Sequence, residues 1–163
     1  MLSFHAYMSG VQSFVPYSRC DPLQMDTVKW DTTGCFKPWN PASPLASGCF
    51  EADVDMIVEF HLNVLWETPA DGFWVACWLY KNALPTIIGD ATGEVAGYDV
   101  SVRNSGGSPP ASGPQANNVS ASLTQMLQLS AGDKIWPVAG SATSTSTANM
   151  ADVINHFSGK IIG

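Results

Sequence analysis

Leu123-Thr124-Gln125-Met126-Leu127-Gln128-Leu129-Ser130-Ala131-Gly132-Asp133-Lys134-Ile135-Trp136-Pro137-Val138 is the stretch whose reading decides the fold. Leu123, Leu127 and Leu129 share one side of an extended chain, with Gln125 interrupting them. Alternation over so short a run is the mark of a half-buried strand. Ala131-Gly132-Asp133 breaks it, and glycine reaches the positive φ that a tight reversal needs. A second extended run carries Ile135, Trp136 and Val138. Pro137 has no N–H to give a neighbouring strand, which predicts an edge position or a bulge there. The reading is a β-hairpin, and the remaining chain has to cover its apolar face.

Outward from this stretch, further short extended segments appear. Phe4–Met8 alternates and ends at Ser9-Gly10. Phe14-Val15 is a short apolar patch. Met25–Trp30 alternates again and is closed by the turn Asp31–Gly34. The prolines at 38, 41 and 44 make Lys37–Ser47 a loop, after which Gly48–Ala52 resumes the extended chain. Val58, Phe60, Leu62, Val64 and Trp66 form the clearest alternating set, with Glu59, His61 and Asn63 turned the other way. Beyond the turn Pro69–Gly72, the run Trp74–Tyr80 is apolar on both sides and must be covered twice. Shared packing between subunits would do this, since each large buried side chain is worth about 1.5–3 kcal/mol. Val95–Val102 and Val153–Ile162 complete the set of strands. Two Ser/Gly/Pro/Thr-rich segments, 104–118 and 140–149, read as long loops inside one domain spanning 1–163. No long amphipathic helix and no internal repeat is present.

Composition narrows the function. The chain has 163 residues, 45% of them apolar and only 13% charged, with a net charge of -7. The seven basic residues are scattered, which argues against nucleic acid as a partner. No apolar run approaches the length of a membrane helix, and the N-terminus lacks the pattern of a secretory signal. Cys20, Cys35, Cys49 and Cys77 are too far apart for a Cys-x-x-Cys site and read as buried thiols, with a Cys35–Cys49 bridge open in an oxidising compartment. His5, His61 and His156 fall in separate strands, and no nucleophile elbow, zinc-protease helix motif or phosphate loop is found. No enzyme, metal or cofactor is expected. Asp53 and Asp55 share a side and could hold Ca²⁺, as could Asp90–Glu94, but solvated charge at a strand end or turn is the commoner meaning. Short strands with Gly/Pro turns predict an all-β sandwich or jelly roll.

Taken in order, these segments resemble the globular head of complement component C-one-q and its tumour-necrosis-factor-like relatives. Phe4–Tyr7 is similar to the family's first strand, and Val28–Asp31 with Gly34 and Phe36 to its next strand and turn. Gly48-x-Phe50-x-Ala52, Leu79-x-Lys81-Asn82, Leu127-x-Leu129-x-Ala131-Gly132-Asp133-x-Ile135 and Phe157-Ser158-Gly159 follow in the family's sequence. The resemblance runs from Phe4 to Ile162. It departs before the Phe60 strand, where the family's Pro, Gly and aromatic are replaced by Asp53, Met56 and Ile57. The resemblance implies a ten-stranded jelly-roll sandwich of two antiparallel sheets that assembles as a homotrimer and binds or builds rather than catalyses. Trp74, Trp78, Tyr80, Leu127, Leu129 and Phe157 are then the candidate trimer-interface residues. Phe4, Tyr7 and Trp39 are the candidate capsid- or ligand-contact residues.

Family heads usually stand on a collagen-like or coiled-coil stem, and no Gly-x-y or heptad run precedes Phe4. Heads of this kind also occur in bacteriophage virions. The expectation is therefore a stemless viral structural protein, a trimeric capsid decoration or cement protein, made in the host cytoplasm and docked on the major capsid protein at the virion surface. The alternative is the receptor-binding or adhesive head of a phage fibre, recognising a host-surface sugar or protein.

Overall fold

The computed structural model describes residues 2–14, 21–68, 74–83, 94–102, 117–141, 145–147 and 155–163. Within them every regular element is a strand, apart from a single 3-10 turn at Pro44–Ala46. In chain order the strands are β1 (Ser3–Tyr7), β2 (Ser13–Phe14), β3 (Asp21–Pro22), β4 (Thr27–Asp31), β5 (Phe36–Lys37), β6 (Cys49–Glu51) and β7 (Met56–Thr68). They continue with β8 (Trp74–Lys81), β9 (Glu94–Val102), β10 (Asn117–Leu129), β11 (Lys134–Ser141), β12 (Thr145–Thr147) and β13 (His156–Ile161). Among the described residues the strands number thirteen segments, of which β2, β3 and β5 are only two residues long. They form two antiparallel sheets, one of seven strands and one of six.

The long alternating strand β7 is the spine of the seven-stranded sheet. One edge of β7 is paired along its whole length with β10, from Asn117↔Thr68 to Leu129↔Met56. On the other edge β13 takes the first half and β12 the second. β1 follows β13, and β4 follows β1 with a register shift between His5 and Ala6. The six-stranded sheet runs β5-β6-β11-β8-β9, with β3 also paired to β11.

Between the sheets lies one core. Its centre is a phenylalanine cluster. The Phe4 ring stacks on Phe36 and Phe50 of the facing sheet, with centroids 5.2 Å away in both cases. Phe157 meets Phe4 edge-on at 5.1 Å and stacks on Phe60 at 5.5 Å, and Phe50 meets Phe60 edge-on at 5.3 Å. Gly159 makes the room, because a Cβ there would lie 2.7 Å from the Phe4 ring and 3.2 Å from Phe60 and Val58.

The stretch 123–138 is not a hairpin. β10 belongs to the seven-stranded sheet and β11 to the six-stranded sheet, so the Ser130–Asp133 turn carries the chain across the sandwich. β11 is paired on both edges, to β8 on one side and to β6 and β3 on the other, which leaves it no edge for β10. The turn itself forms as expected, with Gly132 at φ +89°. It is fastened by contacts to two distant segments. Gly132 N–H donates to the Ala52 carbonyl (2.7 Å), and Ala52 N–H donates to the Asp133 carbonyl (2.9 Å). Asp133 accepts from Asn82 Nδ2 (2.9 Å) and from Ser130 N–H (2.8 Å), and pairs with Lys81 Nζ (3.0 Å). Three widely spaced motifs, around Ala52, Lys81-Asn82 and Gly132-Asp133, thus meet at one corner.

Pro137 is in an interior strand, not at an edge. Opposite Leu79 on one side, its other side falls between β6, which ends its pairing at Ile135, and β3, which begins at Val138. The Pro137 carbonyl, accepting Leu23 N–H at 2.8 Å, points into that interval. A strand residue sends its N–H and C=O the same way, so the absent donor falls where no ladder bond is interrupted. The expected 140–149 loop is also shorter than predicted: Gly140 and Ser141 end β11, and Thr145–Thr147 is β12. Of the 104–118 loop, Asn117 and Asn118 already belong to β10, and the rest lies outside the described residues.

Cys35, Cys49 and Cys77 are buried free thiols, so no Cys35–Cys49 bridge exists. Cys20 lies outside the described residues. Burial pushes the Cys35 thiol up and the Cys49 thiol to about 11, which keeps both protonated.

Two substitutions test these contacts. Gly159→Ala is expected to destabilise the chain by about 1–3 kcal/mol through overpacking against rigid rings. Gly10→Ala, with nothing near its Cβ, is expected to stay within about 0.5 kcal/mol; urea unfolding compares them. Burial alone would raise the Asp133 carboxyl, but the bonds from Asn82, Ser130 and Lys81 outweigh it and hold it below the usual range. Its contribution is therefore complete above the ordinary aspartate value of about 3.9 and is lost as pH falls through the lower folded-state value. Asp133→Asn is expected to cost about 1–3 kcal/mol at pH 7. Unfolding repeated at pH 3 is expected to show a smaller gap between variant and parent.

Candidate functional site: the outer face of the seven-stranded sheet

Strand alternation decides which side chains reach this face. Each histidine stands next to a core phenylalanine in sequence: Phe4-His5, Phe60-His61 and His156-Phe157. With the phenylalanines turned inward, all three histidines emerge on the outer side of the same sheet. Register lines them up in rows. One row is Thr27–Tyr7–His156–Asn63–Ser122, and the next is Trp30–His5–Ser158–His61–Thr124. A third runs Ser3–Lys160–Glu59–Met126.

At one end of the middle row three rings stack across three strands. Trp30 lies on His5 with centroids 4.8 Å apart and planes 24° apart. His5 lies on His156 at 5.1 Å and 21°. Farther along, His61 Nδ1 is 2.9 Å from Thr124 Oγ1, and its Nε2 is 3.0 Å from Glu59 Oε1. Lys160 Nζ reaches the same Glu59 oxygen at 2.9 Å. The Lys160 hydrogen bond first, and the His61 hydrogen bond second, hold the Glu59 carboxyl below the usual glutamate range. Trp30 (45% exposed) and Met126 (55%) are large apolar side chains left open on this face. Ser158, between them, is small and half-buried.

The residues expected to form an interface are placed elsewhere. Phe157, Leu129 and Phe4 are enclosed in the core of the single chain and present no surface, because each sits on the inward parity of its strand. Leu127 is half-buried and packs against that core. Trp78 and Tyr80 do lie on the outer side of the six-stranded sheet, but they are 6% and 3% exposed, in a cluster with Cys49, Ala76, Trp136 and Val138. The chain itself covers them, so a second subunit is not needed to bury this strand. The Pro-rich loop takes part: Trp136 Nε1–H donates to the Ser47 carbonyl at 3.3 Å, and Ser47 Oγ–H donates to the Ser43 carbonyl at 2.8 Å. Trp39 anchors that loop, its ring lying 3.0 Å from where a Gly48 Cβ would stand. Trp74 opens β8 opposite Val102. Of the candidates, Tyr7 alone is brought onto the outer face of the seven-stranded sheet, opposite His156.

The two aspartates considered for Ca²⁺ go to different partners. Asp55 accepts from Ala131 N–H at 3.0 Å, and Asp53 faces the Cys35 thiol at 3.5 Å. Among the described residues no group of His, Cys, Asp and Glu is arranged to hold a metal ion. Asp90–Glu94 falls largely outside them.

No protein-family model matches the chain, and neither does any curated protein. Solved structures do. The globular domain of zebrafish complement 1qA is similar at 13% identity and a TM-score of 0.62, over 100% of this chain and 98% of that one. The Eiger TNF of S. frugiperda gives 14% and 0.63, over 99% and 91%. Murine APRIL gives 8% and 0.64, over 99% and 98%. The fold is the jelly roll of the C1q and TNF heads.

The charge network is directly testable. In a carbon-detected NMR titration, Glu59 is expected to titrate below the ordinary glutamate value of about 4.3. Replacing Lys160 with Met is expected to move that midpoint up towards the ordinary value.

Proposed function

We propose that the chain is a non-catalytic head that associates with further copies of itself through the outer face of the seven-stranded sheet, forming a homotrimer. The observation that carries this reading is the charge pattern of that face. Across Ser3–Tyr7, Ile57–Leu65, Ser120–Gln128 and His156–Ile161, the formally charged residues are Glu59 and Lys160, and they pair with each other. A broad sheet face whose central charges are paired, with Lys29 at its β4 edge, small serines at its middle and Trp30 and Met126 open, can be desolvated at low cost. The resemblance of the sequence to C1q- and TNF-like heads, which assemble as homotrimers, supports the same stoichiometry. Within this reading the trimer is a docking module, and we propose that its work is decoration and reinforcement of a phage capsid at the virion surface. That setting rests on the family resemblance alone.

Light scattering of the purified chain is expected to give three times the 17.4 kDa monomer mass at neutral pH. Ser158→Arg, which puts an unpaired cation at the centre of the face, is expected to give a folded monomer by circular dichroism and scattering. A wild-type monomer would remove the assembly reading. The setting is tested separately by sedimenting the protein with undecorated phage heads and with host cells. Retention by heads supports decoration, and retention by cells alone points to an adhesive head instead.

A further inference from the structure

Among the described residues, the large apolar side chains left open fall into two groups. Leu2, Val11, Leu45, Val54 and Ile162 lie outside the strands, where single exposed residues are ordinary. Trp30 and Met126 are the two within strands, and both stand on the outer face of the seven-stranded sheet. The strands of that face run in the order β4-β1-β13-β7-β10. Trp30 is on the first and Met126 on the last, four strand spacings or about 19 Å apart. Trp30 belongs to the row that ends at Thr124, and Met126 to the next row. Their heights along the strands therefore differ by two residues, about 7 Å. At that span the two side chains do not meet within one chain.

Each of the two is prepared for contact with another molecule. His5 props one side of the Trp30 ring at 4.8 Å, so the indole is positioned before anything binds and loses little freedom on binding. The residues also suit each other. An indole ring and a thioether attract, and methionine adapts its shape to a rigid neighbour. Their surroundings carry opposite charge: Lys29 precedes Trp30 in β4, and Glu59 stands opposite Met126 across β7 and β10. One edge of the face thus complements the other edge, in shape and in charge.

We infer that Trp30 of one copy seats against Met126 of the next, joining the β4 edge of each face to the β10 edge of its neighbour. The inference rests on the homotrimer reading above and adds which residues meet. A contact between opposite edges is head-to-tail, and repeated by rotation it closes into a ring. Two copies joined in this way leave one Trp30 and one Met126 open, and the third copy covers both. Each junction also brings Lys29 towards Glu59, and that attraction between unlike charges sets which edges meet. An open row of copies keeps an uncovered anchor at either end, whereas the closed ring keeps none.

The experiment is disulfide trapping in the full chain. Trp30→Cys/Met126→Cys is oxidised with copper(II)–phenanthroline and run on a denaturing gel without reductant, beside both single variants and the parent with its four native cysteines. A disulfide does not span about 19 Å, so any bridge between positions 30 and 126 joins two copies. The double variant is expected to give covalent dimer and trimer with nothing larger, and each single variant no more than the parent. Light scattering gives a second readout without oxidation. Trp30→Glu and Met126→Lys, checked for folding by circular dichroism, are each expected to raise the concentration needed for assembly about tenfold or more. Combined, they are expected to bring it back to within about threefold of the parent. A monomeric parent overturns the assembly reading, and this inference with it. A trimeric parent with neither cross-linking nor rescue overturns the Trp30–Met126 contact and leaves assembly standing. Covalent product that stops at dimer, or runs on past trimer, overturns the closed ring. Cross-linking in a single variant above the parent shows like edges meeting and overturns the head-to-tail contact.

Discussion

The structure depends on rings from both sheets meeting in one cluster. Phe4, Phe60 and Phe157 come from the seven-stranded sheet, Phe36 and Phe50 from the other, and each touches a partner across or along the sandwich at close to 5 Å. Aromatic pairs at such separations add about 0.5–1.5 kcal/mol beyond the area they bury. Their greater effect is on register. A strand displaced by one residue would turn its phenylalanine to solvent and bring a histidine into the core. The inner cluster therefore fixes the outer face as well, since each histidine is displayed where its neighbouring phenylalanine requires.

Much of this was legible in the sequence, and the reasons are local. β7 was evident from Val58 to Trp66 because one dry side and one wet side produce a clean period of two. β1 was visible for the same reason, β8 as a run apolar on both sides, and β6, β9 and β13 as extended segments between turn-rich stretches, within a few residues at their ends. What could not be read was which strand pairs with which. Leu129 and Ile135 are separated by a tight turn, and that turn is what a hairpin and a sheet-to-sheet corner have in common. Only the commitments of β10 to β7 and of β11 to β8 distinguish them, and those are made by residues far away. Pro137 misled similarly: the gap between β6 and β3 that accommodates it is created by two separate segments.

The site shows the same division. The single run Trp74–Tyr80 suggested an interface at Trp78 and Tyr80, because a strand apolar on both sides must be covered twice. The run is covered, but by the chain's own packing, in which the 38–48 loop takes part through the Trp136–Ser47 bond. Polar and Pro-rich loops give little sign in sequence of where they will lie. The histidine face, by contrast, was within reach. Its signal was adjacency to Phe4, Phe60 and Phe157, which requires combining three strands instead of judging each histidine alone.

The crossing from β10 to β11 has a bearing on how the protein acquires its structure. If those strands formed a hairpin, they could pair early, with almost no chain to close. Instead β10 waits for β7, whose Met56 lies opposite Leu129, and β11 waits for β8. Loops of that size must close before either pairing yields any free energy, which slows the search and keeps apolar strand edges exposed while it proceeds. The corner contacts of Ala52, Asn82 and Asp133 join the ends of β6 and β8 to the start of β11, all in the six-stranded sheet, so the crossing is fastened by the sheet the chain enters once that sheet has formed.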